Sequence, residues 1–197
     1  ILDATARLSG RPGVLMVHGG SGLLAASLGV AAAALDGTPM IVLSATQERT
    51  AMENGWWQTL DVQKPVADFV KFQTRVERPD QAITAVRDAL RESVSGKPGV
   101  AQIDIPIDVS IEALGADAAP LPIPVSAPLI RSFPDPLLVS KAAELIRHSE
   151  RPVLLIGGGA RYSDAGEPLM ALIEKVHLPV VNSPTSRGVL PETHPLV

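Results

Sequence analysis

The sequence predicts an α/β protein built on a parallel sheet, and three observations carry that expectation. Strand-like and helix-like runs alternate along the chain, as in "GVLMVHG", then "LLAASLGVAAAAL", then "PMIVLSA". Such alternation marks βαβ units with right-handed crossovers. The run "PMIVLSA" is contiguously apolar rather than alternating, as a parallel strand covered on both faces requires. Finally, 46% of the 197 residues are hydrophobic but only 3% are aromatic, so the apolar content is aliphatic and suits a sheet clad by helices.

Taken in order, "ILDATARLSG" reads as the second half of a helix, and the closing "PETHPLV" as the middle of a connection, so both ends are expected to be cut. "GVLMVHG" is the first strand, and "LLAASLGVAAAAL" a helix with small residues on every face. After "PMIVLSA", the segment "PDQAITAVRDALRESVSG" gives the clearest amphipathic helix, with Ile83, Val86, Leu90 and Val94 at helical spacing and Gly96 as the stop. "GVAQIDIPID" follows as a strand. "SGRPGV" (9–14) and "SGKPGV" (95–100) each link a helix to a strand: glycine ends the helix in a left-handed conformation and proline forbids its continuation.

From Ile111 to Pro136 spaced prolines replace helical periodicity, which predicts an extended linker over 113–136 between a domain at 1–112 and a second at 137–197. In the second, helix "PLLVSKAAELIRHSE", strand "RPVLLIGGG", helix "AGEPLMALIEKVH" and strand "LPVVNSP" restart the pattern. Two strands are too few for a complete parallel-sheet domain.

Composition narrows the function classes. A net charge of −4, with scattered Lys and Arg, argues against nucleic acid as a partner. The absence of cysteine removes disulfides, thiolate metal sites and Cys nucleophiles. No apolar run reaches the ~18 residues of a membrane span, and no secretory signal opens the chain. The expectation is a cytoplasmic protein that engages neither membrane nor nucleic acid.

Three stretches carry candidate chemistry. Gly20-Ser21-Gly22-Leu23-Leu24-Ala25 satisfies the dinucleotide pattern G-x-G-x-x-G/A. It reads either as a phosphate loop at a helix N-terminus or as a tight strand-to-helix turn. The acidic residue such a site wants on the next strand is represented only by Glu48, farther along than the usual ~20 residues, and a P-loop lysine is missing. "GGGARYS" (157–163) is a second glycine cluster after a strand, where Arg161 either pairs a phosphate or is a solvated loop arginine. "ENGWWQTLD" (53–61) holds both tryptophans of the chain, Trp56 and Trp57, beside Gln58 and Asp61. It reads as a pocket wall or subunit contact, or as a satellite cluster pinning a long loop. The four histidines lie far apart without metal-ligand spacing.

Together these stretches resemble the thiamine-diphosphate-dependent enzymes of the acetolactate synthase and benzoylformate decarboxylase type. Family motifs of the form ADGYAR-x-TG-x-PGV, GPG-x-x-N, FQE-x-D and SG-x-PGPV-x-x-DIP-x-DV correspond in order to Asp3, Ala6, Arg7 and "SGRPGV", to "GSGLLA", to "WQTLD" and to "SGKPGVAQIDIPIDV". After the linker, "RPVLLIGGGARYSDAG" and "LPVVNSPTSRGVLPETHPL" resemble the start of the family's central domain, closest to oxalyl-CoA decarboxylases and 2-hydroxyacyl-CoA lyases. The resemblance implies a parallel-sheet pyrimidine-binding domain, incomplete at its N-terminus, followed by the start of a Rossmann-like central domain. It implies thiamine diphosphate near Gly20, Ser21, Gly22 and Ala25, and a substrate and cofactor pocket at Trp57 and Gln58. In the central domain it implies ADP near Gly158, Gly159 and Arg161. The activating glutamate is expected before Asp3. The Mg2+ site belongs to a separate GDG…N motif that this sequence does not contain, so no metal ligand is assigned here.

The implied parent is a lyase or decarboxylase that cleaves or forms a C–C bond beside a carbonyl of a 2-hydroxyacyl or 2-oxoacyl substrate, an acyl or acyl-CoA compound. It would be a homo-oligomer, dimer or tetramer, with active sites between subunits. The sequence departs from the family at Ser21 for proline, Ala25 for asparagine and Thr59 for glutamate. Two alternatives stay open at this point: an NAD(P)-binding Rossmann oxidoreductase using Gly20–Ala25, and a non-catalytic homologue of the thiamine-diphosphate fold.

Overall fold

The computed structural model describes residues 1–115 and 132–197, so most of the expected linker, from 116 to 131, lies outside the described residues. The chain divides into two compact units, Ile1–Ile130 and Arg131–Val197.

In the first unit, helix α1 (Leu2–Ser9) ends on Gly10 with φ 68°, and strand β1 (Gly13–His18) leads through glycines into helix α2 (Ser21–Leu35). Strand β2 (Met40–Thr46), the short helix α3 (Arg49–Glu53) and strand β3 (Phe72–Arg75) follow. Helix α4 (Ala82–Val94), strand β4 (Val100–Pro106) and the short helix α5 (Ile107–Ile111) come next, the last elements among the described residues of the unit. The four strands form one sheet in the order β1-β2-β4-β3, parallel at every pairing, as the α/β reading requires.

Period-two alternation divides the core between the two faces of this sheet. Met40 and Val42 of β2 and Val100 of β4 pack with Leu23, Val30 and Ala33 of α2. Ile41, Ala101 and Ile103 face the other way, onto Ala85 and Ala89 of α4. The contiguous run "PMIVLSA" is contiguous because successive residues serve opposite layers.

Three expectations need correction. The buried stripe of α4 is Ala85, Ala89 and Ser93, whereas Ile83, Val86, Leu90 and Val94 are only half-buried. Small side chains let the helix lie close to the sheet, and the larger ones fill the flanks. Strand β3 and helix α3 were not foreseen. In β3, "FQTR" is too short and polar to show a strand period, and its pairing with β4 in register Gln73↔Gln102 and Arg75↔Asp104 defines it.

The second unit carries helix α6 (Pro136–His148), strand β5 (Leu154–Ile156), the one-turn helix α7 (Gly159–Tyr162), helix α8 (Gly166–Val176) and strand β6 (Val180–Asn182). Asp135 caps α6, accepting from the Leu137 amide at 2.8 Å. Strands β5 and β6 are parallel, with Ile156, Val180, Ile173, Leu178 and Leu190 as a small core. Their other face is open, since Val153, Leu155 and Val181 are exposed.

Ile103 is fully buried between the central strand and α4. Ile103→Ala should lower the unfolding free energy of the chain by about 2–5 kcal/mol, read by urea denaturation with far-UV circular dichroism.

Candidate functional site

The C-terminal ends of the strands in an open α/β sheet are where ligands bind, and here one sheet face changes character towards that end. On the α2 side the residues are Met40, Val42, Ser44 and Thr46 in β2, and Val100, Gln102 and Asp104 in β4. Apolar side chains give way to polar ones, yet Ser44, Gln102 and Asp104 are all fully buried. Buried polar groups need partners, and these supply one another. Gln102 Nε2 donates to Asp104 Oδ1 at 2.7 Å, and the Ser44 hydroxyl donates to the same oxygen. Gln73 Nε2 donates to Gln102 Oε1 at 2.9 Å. Period-two polar residues inside "PMIVLSA" and "VAQIDIP" were the signal, visible only once the register is known.

The loop from β1 to α2 lies beside this end. Gly19 is packed so tightly that an added Cβ would sit 2.5 Å from the Ala45 carbonyl oxygen and 2.9 Å from Thr46 Cα. Gly20 is the N-cap of α2 with φ 65° and ψ −110°, a conformation open to glycine alone. A Cβ there would lie 3.3 Å from the backbone oxygen of Gln58. Gly22 sets the first turn of α2 against β1, with its virtual Cβ 3.3 Å from His18 Cβ. Ser21 and Ala25 are exposed, so Ala25 does not perform the helix–strand packing required of the third position in a dinucleotide fingerprint. Gly19 lies one residue ahead of the G-x-G-x-x-G/A pattern, which therefore does not include it.

Gln58 is half-buried with φ 59°, a left-handed conformation uncommon for a non-glycine residue. Its side-chain Oε1 is buried with no hydrogen-bond partner. Strain together with an orphaned acceptor points to a site where a donor is expected from a ligand. The turn before it is closed by the Thr59 amide donating to the Trp56 carbonyl at 3.2 Å. Trp56 and Trp57 are 69% and 77% exposed, so neither ring packs into the core of this unit. The structure therefore brings together Gly20 and Gln58, 38 positions apart in sequence, at one end of one sheet.

Asp104 is the one buried carboxyl at this end among the described residues. Burial pushes its pKa above the ordinary carboxylate range, against the Ser44 and Gln102 hydrogen bonds and the Arg75 charge, with Asp61 adding to the rise.

In the second unit, Gly158 packs on Thr185, with its virtual Cβ 3.0 Å from the hydroxyl oxygen. Gly159 opens the single turn of α7. Arg161 Nη2 donates to the Arg187 carbonyl, so part of its guanidinium is engaged by backbone.

Two family profiles match the chain. Residues 3–65 match "Thiamine pyrophosphate enzyme, N-terminal TPP binding domain", and residues 139–197 match "Thiamine pyrophosphate enzyme, central domain". Over 98% of its length the chain is 32% identical to 2-hydroxyacyl-CoA lyase 1 of Mus musculus, covering 33% of that protein. It is 32% identical to oxalyl-CoA decarboxylase of Escherichia coli K12, of which it covers 35%. With a probable acetolactate synthase large subunit of Methanocaldococcus jannaschii it shares 34% identity over 98% of the chain and 33% of that protein. The chain thus spans about a third of the length of the curated relatives it matches.

Two outcomes follow from this geometry. Gly19→Ala forces backbone apart and should cost about 1–3 kcal/mol in unfolding free energy, whereas Ser21→Ala, on an exposed position, should stay within about 0.5 kcal/mol. For Asp104, a folded pKa above the unfolded value of about 3.9 means the native chain holds the proton more tightly. The contribution to stability is then greatest below the unfolded pKa and declines as pH rises through the folded pKa. Unfolding free energies of wild type minus Asp104→Asn should fall as pH rises through the acid range; a rising difference would show a depressed pKa instead.

Proposed function

The chain belongs to the thiamine-pyrophosphate enzyme family, and from that premise we propose that it supplies the pyrimidine-side wall of a thiamine diphosphate site. The observation that carries this reading is Gln58: a left-handed backbone and a buried, unpartnered amide oxygen, held against Gly20. Thiamine diphosphate, when bound, supplies a carbanion that adds to a carbonyl carbon and an electron sink for the C–C bond that breaks. The residues present fit the ring side of that group. Gln58 Oε1 would accept a hydrogen bond from a ring donor, and Gly20 keeps a side chain away from the Gln58 backbone, while Gly19 lets the loop lie against the end of β2. Gly22 holds α2 in place, and Trp57 would shield the pocket from water. Ser21 and Ala25, exposed at the start of α2, would lie on the cofactor side of the same loop.

By analogy with relatives named 2-hydroxyacyl-CoA lyase and oxalyl-CoA decarboxylase, the parent activity is cleavage or formation of a C–C bond beside the carbonyl of a 2-hydroxyacyl or 2-oxoacyl compound carried as a CoA thioester. Residues 1–112 would form the pyrimidine-binding domain, 113–136 a linker and 137–197 the first part of a central domain. In that last part Gly158, Gly159 and Arg161 would face an ADP-type group. Mg2+ would be held outside this chain. A homo-oligomer with the site between subunits is part of the same proposal, and α2, with Leu24 and Leu28 exposed, is the surface offered for the contact.

The test is ligand binding to the 197-residue chain, read by thermal midpoint. Thiamine diphosphate should raise the midpoint through its ring end, and Gln58→Ala should abolish the shift while leaving the unfolding free energy of the unliganded chain within about 1 kcal/mol of wild type. Protection by NAD and none by thiamine diphosphate would overturn the proposal. The same chain should show no decarboxylation of oxalyl-CoA or cleavage of a 2-hydroxyacyl-CoA.

A further inference from the structure

Arg75 stands at the edge of the sheet beside the buried polar cluster. It ends β3 opposite Asp104 of β4, and its Nε and Nη2 are buried without a hydrogen-bond partner. Asp104 Oδ2 is buried and unpartnered as well. Arg75 Nη2 lies 3.8 Å from Asp104 Oδ2 on one side and 3.7 Å from Asp61 Oδ1 on the other. Asp104 belongs to the rigid centre of the sheet; Asp61 belongs to the loop that carries Trp56, Trp57 and Gln58. One nitrogen of the guanidinium therefore lies within ion-pair distance of two carboxyl groups, and a single cation can serve both.

Two neighbours act on the same stretch of loop. Gln73 Nε2 donates to the Gln63 carbonyl at 2.9 Å, and Gln102 Nε2 reaches the Val62 carbonyl at 3.4 Å. Sheet side chains thus grip residues 61, 62 and 63 in succession, while residues 56–60 make only local backbone turns. The amides hold main chain of any sequence. Among these sheet side chains Arg75 alone holds a side chain, that of Asp61, whose other oxygen pairs with Lys64 Nζ of the same loop at 3.3 Å.

We propose that Arg75 is a positioning residue, which fixes the Gln58 loop against the sheet by bridging Asp104 and Asp61. This rests on the reading of Gln58 as part of the cofactor pocket, but the bridge can be tested apart from it. Raised proton affinity at Asp104 adds a consequence: protonation there would leave Arg75 paired with Asp61 alone.

Both tryptophans of the chain, Trp56 and Trp57, lie in this loop, so tryptophan anisotropy and amide hydrogen exchange of residues 54–60 report on it directly. Arg75→Gln and Asp61→Asn should each speed exchange there about two- to fivefold, as loss of a part-exposed ion pair would, and lower the anisotropy. Exchange in β2 and in the centre of β4 should be unchanged. The double variant should be less than additive, since the Arg75–Asp61 pair is lost in both, while Arg75→Gln also removes the Asp104 pair and Asp61→Asn the Lys64 pair; Arg75→Lys should restore part of the protection. Asp61→Asn leaves the sheet pair in place, so the test survives if Arg75→Gln does not fold. Wild-type exchange in the loop of folded Asp61→Asn, or additive effects in the double variant, would overturn the proposal. If thiamine diphosphate with Mg2+ leaves wild-type exchange unaltered while the variants loosen the loop, the bridge stands and the cofactor reading falls. If the cofactor protects the loop and the variants do not loosen it, the bridge falls and the cofactor reading stands.

Discussion

A carboxyl and an amide sit in the most buried strand of the molecule, and much of the first unit is arranged around satisfying them. Gln102 and Asp104 are fully buried in β4, where an unpaired polar group costs about 1–3 kcal/mol and an unpaired charge more. Ser44 from β2 and Gln73 from β3 answer this demand by hydrogen bonds, and Arg75 of β3 by charge alone, at 3.8 Å. Each lies on the same face because the strands are parallel and in register. A one-residue slip would turn Gln102 and Asp104 into the aliphatic layer beneath α4. The polar cluster is thus as much a specifier of register as a set of contacts.

The same arrangement separates stability from site. The lower half of the sheet face, Met40, Val42 and Val100, is closed by α2 with small and branched side chains. The upper half is closed by a loop, through hydrogen bonds and charge. Loops positioned by a rigid scaffold are where binding residues concentrate, and Gln58 and Gly20 meet at that border. The second unit is held by fewer residues, and the open face of its sheet exposes Val153, Leu155 and Val181.

What could be read from the sequence, and what could not, follows from the range of the forces involved. Strands β1, β2 and β4 and helices α2, α4, α6 and α8 were legible because composition and period are local. The glycine turn was legible for the same reason, and Gln58 stood out through its tryptophan neighbours. The family motifs were legible before any geometry was known. Strand β3 was not legible, since its edge position tolerates the polar run "FQTR". Gly19 was hidden because its constraint is the Ala45 and Thr46 backbone, 26 and 27 residues away in the chain. The roles of Arg75 and Asp104 arise only from pairing between strands, which no single stretch contains.

The left-handed backbone at Gln58 has a meaning for how the position would change over time. Glycine or asparagine would relieve the conformation at once, and a β-branched residue would aggravate it. Backbone and side chain therefore favour different residues at one place. A lineage that ceased to use the amide would be expected to drift to the relaxed choices, so glutamine at 58 acts as a marker: it should persist only in descendants that still have something for it to hold.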